Sequence, residues 1–290
     1  MDDLTLYALA AFLALTAPFA VGFLMGVDRK LTARMQNRVG PPLVQPFYDL
    51  FKLLGKERRL INPSQAYFAL GYLLLEGTSL IVLAAQGDLL VVFFLSGAGS
   101  LFLVLGAFSA RSPFSQMGAQ RELLQILAYE PVFFLIIVSI GIQEHSFISR
   151  DMSQNLIVTL PLSLIALVAV LVIKLQKSPY DIAHAHTELV SGPLVEYSGP
   201  YLATVELARW VEIAVVFGIL TLFWSDPEPV VAILGKMALV FAALFTTLVI
   251  DNVTARLTRR RMVTFTLSFG IAMVAANIIL NLYLGQGVGI

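Results

Sequence analysis

The stretch DRKLTARMQNRVGPPLVQPFYDLFKLLGKE, residues 28–57, separates two long apolar runs. The connection that contains it, residues 27–65 (the first long loop), holds eight of the chain's nineteen Lys and Arg residues. Its second half carries apolar residues at the spacing of one helix face: Phe47, Leu50, Phe51 and Leu54. A helix this short and polar cannot cross a bilayer, so we predict an amphipathic surface helix lying in the acyl boundary or against a neighbouring span. An ordinary basic loop is the alternative.

The composition predicts an all-α integral membrane protein. Hydrophobic residues make up 58% of the 290 and charged residues 13%, whereas soluble domains carry about 25% charged residues. Apolar runs recur at the length of a membrane helix, roughly 20 residues. We predict one membrane domain, residues 1–290, with about eight transmembrane helices: 4–26, 66–85, 89–109, 120–142, 156–174, 201–223, 231–252 and 264–284. The first run follows an acidic start, so it is predicted to be a retained span and not a cleaved signal peptide.

The absence of cysteine excludes thiolate chemistry. No iron–sulfur cluster can be held through thiolates, and neither a disulfide nor a thiol nucleophile is possible. Three histidines without cysteine do not indicate a zinc or haem site, so we predict no metal and no cofactor bound by this chain. The net charge of zero gives no indication of nucleic-acid binding.

The basic residues predict the orientation. They concentrate in or at the edges of the connections after the first, third, fifth and seventh spans, which places those connections in the cytoplasm and both termini outside. The second long loop, KLQKSPYDIAHAHTELVSGPLVEYSGP (residues 174–200), lies on the same side. Long polar loops at a membrane face mostly dock a partner or build a site.

Charged residues inside the predicted spans carry the candidate chemistry, because such residues usually face the bundle interior, water or a partner. They include Glu76, Glu130, Glu206, Arg209 and Glu212. In one interpretation the four glutamates form a buried row that exchanges protons near neutral pH. The steps of three residues from Glu206 to Glu212 also permit an acid–base–acid ladder on one helix face. In the other interpretation Arg209 neutralises one glutamate, and hydroxyl and backbone groups satisfy the rest.

Two histidines lie in the second long loop. His184 and His186 have the intrinsic pKa for proton relay at the membrane face. Hydrogen bonding within the loop is the simpler alternative. Their i, i+2 spacing makes them a poor metal pair on a helix.

Four motifs carry a resemblance to the complex I subunit 1 family. The first long loop is similar to the family pattern RxGPxxxQPxxDxxKLxxKE, here at Arg38, Gly40, Pro41, Gln45, Pro46, Asp49, Lys52, Leu53, Lys56 and Glu57. The others are GAQRELLQILAYEP (118–131), SPYDIAHAHTELVSGPLVEYSG (178–199) and DNVTARL (251–257). The chain resembles most the branch found in membrane-bound [NiFe] hydrogenases and formate hydrogenlyases.

The resemblance implies a role without a redox centre. It implies that the chain anchors a peripheral arm of hydrogenase-like large and small subunits and an iron–sulfur subunit, beside antiporter-like membrane subunits. The partners would carry the NiFe centre and the clusters. Residues implied for proton transfer or coupling are Glu76, Glu130, Asp181, His184, His186, Glu188, Glu196, Glu206 and Glu212, with Arg121 and Arg209 as charge partners. Those implied for partner docking are Arg29, Arg34, Arg38, Gln45, Asp49, Lys52 and Glu57.

Three alternatives remain open. The same subunit occurs in sulfur-reducing relatives. A quinone-site subunit of complex I is the second alternative, although complex I members usually carry acids where this chain has Ala-His-Ala-His at 183–186. A standalone transporter is the third. The long loops, and the lack of any internal repeat of the kind found in many transporters, argue against it.

Overall fold

Helices account for all regular structure in the described part of the chain. The computed structural model describes residues 3–59, 62–152, 154–183 and 186–287. The α-helices are α1 (Asp3–Met35), α2 (Gln45–Leu54), α3 (Ser64–Ala84), α4 (Leu89–Ser109), α5 (Pro113–Glu144), α6 (Leu156–Thr159), α7 (Pro161–Lys174), α8 (His186–Leu189), α9 (Gly199–Thr221), α10 (Pro229–Val253) and α11 (Arg259–Gly287). Two short 3₁₀ segments span Ser149–Asp151 and Gly192–Leu194. The predicted all-α class is confirmed.

Six of the described helices, α1, α3, α4, α5, α10 and α11, are long and apolar enough to cross a membrane. Two other predicted spans are less typical. The helix α7 has only 14 residues, and α9 carries Glu206, Arg209 and Glu212 within its 23 residues. The chain is therefore a multi-pass membrane protein, while the count of eight spans stays a prediction.

The predicted span 156–174 is wrong as a single helix, because the chain breaks between α6 and α7. Pro161, the first residue of α7, has no backbone donor and cannot continue the preceding turn. The buried side chain of Asn277 on α11 fills the break. Its Oδ1 accepts hydrogen bonds from the backbone N–H of Leu162 (2.8 Å) and Ser163 (3.4 Å), and its Nδ2 donates to the carbonyl of Thr159 (2.9 Å). In an apolar environment, backbone N–H and C=O groups that a helix break leaves free need hydrogen-bond partners of this kind.

The helix α9 lies at the centre of the bundle. It contacts α1, α2, α3, α4, α7 and α10, and most of its side chains from Trp210 to Leu220 are buried. In contrast, α10 and α11 expose much of their apolar surface. Most of the circumference of α9 is apolar. A polar side chain on such a central helix must therefore find a hydrogen-bond or ion-pair partner on a neighbouring helix, and the candidate site lies where such partners exist.

The first long loop is partly helical at both ends. The helix α1 continues to Met35, nine residues beyond the predicted end of the span, so Arg29 and Arg34 lie on α1 and not in a loop. The surface helix α2 is confirmed. Only part of its predicted apolar face packs against the bundle, however. The ring of Phe47 contacts Trp210 of α9 edge-on, at a centroid distance of 5.4 Å.

The remaining apolar residues of α2 point in two directions. Leu50 is buried beside Phe47, whereas Phe51 is 63% exposed and Leu54 52% exposed. The helix therefore uses one narrow stripe to attach to the bundle. A second stripe, which also includes Tyr48, is left for lipid or a partner.

Candidate functional site

A cluster of polar side chains, all buried except the half-buried Glu130, lies where α3, α4, α5, α7 and α9 meet. We refer to the following seven residues as the polar cluster: Tyr72, Glu76, Ser96, Ser100, Glu130, Lys174 and Glu212. The helices α3 and α4 each contribute two members one turn apart, and α5, α7 and α9 contribute one each. The cluster is thus created by the packing of five helices and not by a local motif.

Glu212 of α9 is the most extensively bonded member. Its Oε2 accepts a hydrogen bond of 2.5 Å from the hydroxyl of Tyr72 on α3. Its Oε1 accepts one of 2.8 Å from the hydroxyl of Ser100 on α4 and forms an ion pair with the ammonium of Lys174. Both charged side chains are almost fully buried, at 3% exposure for Lys174 and 9% for Glu212. A buried ion pair persists only with such additional hydrogen bonds.

Lys174 is the last residue of α7 and reaches back into the bundle. Its Nζ also lies 3.3 Å from the hydroxyl of Ser100 and 4.4 Å from the centre of the Tyr129 ring. An ammonium over an aromatic face is stabilised by the ring quadrupole, by about 2 kcal/mol or more when desolvated. The sequence predicted Lys174 to be the last residue of the span 156–174 and the first residue of the second long loop, and in the structure it is the last residue of α7.

Two further carboxyl groups flank α4. The Oε1 of Glu76 accepts a hydrogen bond of 3.2 Å from Ser96, while its Oε2 is buried without a partner among the described residues. Glu130 packs its carboxyl group against Gly97, where an added Cβ would lie 3.2 Å from Oε2. Gly99 is similarly close to Glu76, with 2.8 Å between an added Cβ and Oε1. The two glycines let both carboxyl groups approach the bare backbone of α4.

The structure brings together three of the four glutamates predicted to form a row. Glu76, Glu130 and Glu212 belong to the polar cluster, whereas Glu206 lines a separate cavity of about 200 Å³ between α1, α2 and α9. The predicted acid–base–acid ladder is wrong in its second half. Arg209 lies 3.8 Å from Glu206, whereas Glu212 pairs with Lys174, which α7 brings to the other side of α9 from Glu206.

The polar cluster has the composition of a proton-holding site. It contains three carboxyl groups and one ammonium, and apolar helices bury all of these except the half-buried carboxyl group of Glu130. Because an unpaired charge is very costly in such surroundings, protons and the ammonium must share the task of neutralising the carboxyl groups. Among the described residues no group of three histidine, aspartate or glutamate side chains is placed to hold a metal ion.

Ion pairs attach the second long loop to the bundle. Arg121 at the start of α5 pairs with Glu188 at 2.7 Å and donates to the carbonyl of Ile182 at 3.1 Å. The hydrogen bond and the positive charge of Arg121 hold the pKa of Glu188 below its usual value. Asp181 pairs with Arg256, which precedes α11, at 2.7 Å. The predicted charge partner Arg121 therefore acts on the loop and not on the intramembrane acids.

Lys177 fixes the beginning of the same loop. Its Nζ lies 2.6 Å from Asp28 of α1 and 3.2 Å from Asp251 of α10. Asp251 also accepts a 2.9 Å hydrogen bond from the backbone N–H of Ser178. Three residues after Lys174, the chain is thus held to two other helices.

The residues predicted for docking fall into two groups. Arg29 and Gln45 donate hydrogen bonds of 2.8 and 2.9 Å to Asp49, so these three stabilise the α1–α2 junction. Partial burial alone would raise the pKa of Asp49, but these hydrogen bonds hold it below the usual value. The exposed members are Arg34, Arg38, Lys52 and Glu57. They remain accessible for a partner.

The other predicted residues take no part in the polar cluster. Glu196 is half-buried in the second long loop and makes no ion pair with another described residue. His184 lies outside the described residues. His186 begins α8, and its side chain is also outside them. Their predicted proton relay stays a prediction.

Sequence reasoning missed Lys174, Tyr72 and the two serines. One signal was present: the run Ser96-Gly-Ala-Gly-Ser100 interrupts an otherwise apolar helix with small and hydroxylated residues. Small residues in membrane helices mark close approaches, and hydroxyl groups there hydrogen-bond to neighbours. Nothing in the sequence shows that Lys174 points inwards.

Comparisons with known proteins agree with this architecture. The profile of the family described as NADH dehydrogenase matches residues 7–282. Hydrogenase-4 component C of Escherichia coli (strain K12) is 31% identical over 64% of this chain, and formate hydrogenlyase subunit 4 of the same organism is 32% identical over 62%. The matched segments span 64% and 66% of those two relatives, slightly less than two thirds of their length.

A longer match and a solved structure extend the comparison. An NADH-quinone oxidoreductase subunit of Syntrophobacter fumaroxidans (strain DSM 10017 / MPOB) is 27% identical over 80% of this chain and 84% of its own. A chain of the membrane-bound sulfane sulfur reductase, described as an archaeal respiratory membrane complex, superposes with a TM-score of 0.86. That match covers 96% of this chain and 99% of the other at 24% identity, which shows a shared fold. Since the family profile spans nearly its full length, the chain belongs to the NADH dehydrogenase family, the complex I subunit 1 family that its motifs resemble.

Proposed function

We propose that this chain is the membrane subunit of a complex I-like respiratory complex, a membrane-bound [NiFe] hydrogenase, that anchors the redox arm. It couples electron transfer in that arm to the translocation of protons or sodium ions. The partners are hydrogenase-like large and small subunits, an iron–sulfur subunit and antiporter-like membrane subunits. They carry the NiFe centre and the clusters, and this chain carries none. The long loops face the cytoplasm, both termini lie outside, and the apolar helices contact lipid.

One observation supports the proposal most strongly. The second long loop, which would contact the arm, begins directly after Lys174, the residue that forms the buried ion pair with Glu212. A displacement of the loop therefore changes the distance between two buried charges. At an effective dielectric constant of about 20, separating unit charges from about 3 to about 6 Å costs about 3 kcal/mol. That is sufficient to change which carboxyl group holds a proton.

A quinone-reducing complex is the second candidate, and the cavity between α1, α2 and α9 is the feature that bears on it. Its lining includes Arg29, Asp49, Glu206 and Trp210, and its volume is about 200 Å³. Small-molecule sites usually measure about 300–1,000 Å³. This cavity is therefore smaller than a usual small-molecule site.

The first experiment is a mild-detergent purification through a tag on this chain, with mass spectrometry of the partners and metal analysis. Nickel with a hydrogenase-like large subunit is the expected result. Iron without nickel, with the same membrane partners, would replace the proposal by a sulfur- or quinone-reducing complex. Purification without partners, with substrate uptake in proteoliposomes, would instead indicate a standalone transporter.

The second experiment tests the coupling role in inverted membrane vesicles. Glu130→Gln is expected to leave assembly intact and to reduce ion pumping per turnover, because the amide cannot release a proton. Glu228→Gln, at an exposed position directly before α10, is the matched control and should pump normally. Normal pumping by the assembled Glu130→Gln complex would exclude an essential role for that carboxyl group.

A further inference from the structure

The polar cluster contains one ammonium for three carboxyl groups. Lys174 is the cation hydrogen-bonded within it, and it faces Glu76 from α3, Glu130 from α5 and Glu212 from α9. The helix α4 contributes only hydroxyl groups and bare backbone on this side. The phenol groups of Tyr72 and Tyr129 complete the titratable surroundings. Glu122 of α5 lies within electrostatic reach of Arg209, Glu212 and Lys174, and Arg209 is its nearby cation.

A charge count shows what one ammonium can do. Ionising all three carboxyl groups would leave two uncompensated negative charges in an apolar bundle, and each would cost several kcal/mol. The ammonium therefore stabilises one ionised carboxyl group at a time, and the other two hold protons. In the arrangement observed, the ionised group is Glu212, since it receives the ammonium and two hydroxyl donors.

The geometry also provides the ammonium with a second position. Its Nζ lies 3.3 Å from the hydroxyl of Ser100, which is one helical turn from Gly97, the glycine against which the carboxyl group of Glu130 rests. In the described part of the chain no hydrogen bond or ion pair occupies the carboxyl group of Glu130, which rests against Gly97. A lysine side chain is a compact charge on a flexible four-carbon stem, so it can reorient without moving the helix.

We propose, building on the function proposed above, that Lys174 exchanges its ammonium between Glu212 and Glu130 and thereby moves one proton between them. When the ammonium pairs with Glu212, Glu130 holds a proton. When it shifts to Glu130, that group releases its proton and Glu212 takes one up. The ammonium keeps all its own protons, so one O–H bond breaks and one forms while the total charge is unchanged.

The second long loop supplies the control. Lys177 holds the chain to Asp28 and Asp251 only three residues after Lys174. A movement of the loop is thus transmitted to the end of α7, where the ammonium originates. Lys174 is accordingly a positioning residue that converts loop movement into a change of proton site.

Infrared spectroscopy of the purified complex labelled with ¹³C-glutamate tests the charge count directly. Lys174→Gln should add one protonated carboxyl band, because Glu212 loses its counter-charge. The double variant Lys174→Gln/Glu212→Gln should lack that additional band, and it leaves no unpaired charge to prevent folding. Ser163→Ala on the same helix, which loses only a buried hydroxyl contact with Ser139, should match the wild type. No additional band in assembled Lys174→Gln would overturn the proposal.

Ion pumping in vesicles separates this proposal from the function on which it depends. Loss of pumping in the double variant, with normal pumping in Ser163→Ala, is expected. Normal pumping in the double variant would reject the role of Lys174 and leave the proposed function standing. If the wild-type complex itself does not pump, the proposed function fails, while the infrared bands still decide whether Lys174 controls the proton on Glu212.

Discussion

Removing the ammonium of Lys174 should destabilise the protein in a pH-dependent way. Lys174→Met keeps the length of the side chain and its contact with the Tyr129 ring but leaves Glu212 without a counter-ion. Breaking one partner of a buried ion pair costs about 3–5 kcal/mol. The carboxyl group can limit this cost by taking up a proton.

The free energy needed to protonate Glu212 determines how strongly Lys174→Met is destabilised. A glutamate in water has a pKa of about 4.3, so protonating it at pH 7 costs about 3.7 kcal/mol at about 1.36 kcal/mol per pH unit. The sign follows from linkage, since the folded variant binds one proton more than the unfolded chain. The penalty is therefore near zero below about pH 4 and grows as the pH rises. At about 2 °C per kcal/mol for a chain of this size, we expect a lowering of the melting midpoint by roughly 7 °C at pH 7.

The assay is heat-induced loss of the monodisperse protein in detergent, followed by size-exclusion chromatography at pH 6 and pH 8. At both pH values Lys174→Met should lose more monodisperse protein on heating than the wild type does. The difference between the two proteins should be larger at pH 8 than at pH 6. The double variant Lys174→Met/Glu212→Gln has no carboxyl group to protonate, so it should recover most of the loss and show no pH trend of this kind. A pH-independent loss, or a double variant no more stable than the single one at pH 8, would refute the reasoning.

Two further predictions concern the break between α6 and α7 and the second long loop. Asn277→Leu leaves the backbone N–H groups of Leu162 and Ser163 without their acceptor in an apolar environment, at about 1–3 kcal/mol for each buried group, while the carbonyl of Thr159 keeps Asn281 as a donor. Its melting midpoint should fall well below that of Asn281→Leu, which loses a single backbone partner; equal values would contradict the capping role. Lys177→Met should release the second long loop and accelerate its cleavage by a protease in detergent. Lys236→Met on α10 is the control, and equal cleavage rates would show that Lys177 does not hold the loop.

The class of the protein and the positions of its helices follow from the sequence because they depend on local properties. Hydropathy over about 20 residues identifies a membrane helix, and the predicted span 89–109 agrees with α4 at both ends. The period of about 3.6 residues likewise identified α2. The break at Pro161 was the exception, since a Pro inside an apolar run can begin a helix as well as kink one.

The membership in the family also follows from the sequence, because its four motifs are contiguous stretches. The acids Glu76, Glu130 and Glu212 could be named as candidates on the same basis, since a charge within an apolar run is visible in the sequence. Their mutual arrangement could not be predicted. Hydropathy gives the depth of a residue along a helix but not the rotation of that helix or its neighbours.

Tertiary structure alone decided which partners these acids have. It turned Glu212 towards Lys174 and away from Arg209, and it placed Glu206 in a different cavity. In the sequence Lys174 reads as the first basic residue of a loop, whereas in the fold it is the buried counter-charge of the bundle. The physical reason is that a long side chain at a helix end can extend either to water or into the interior. Only the presence of a carboxylate, a hydroxyl group and an aromatic ring from three other helices makes the interior more favourable.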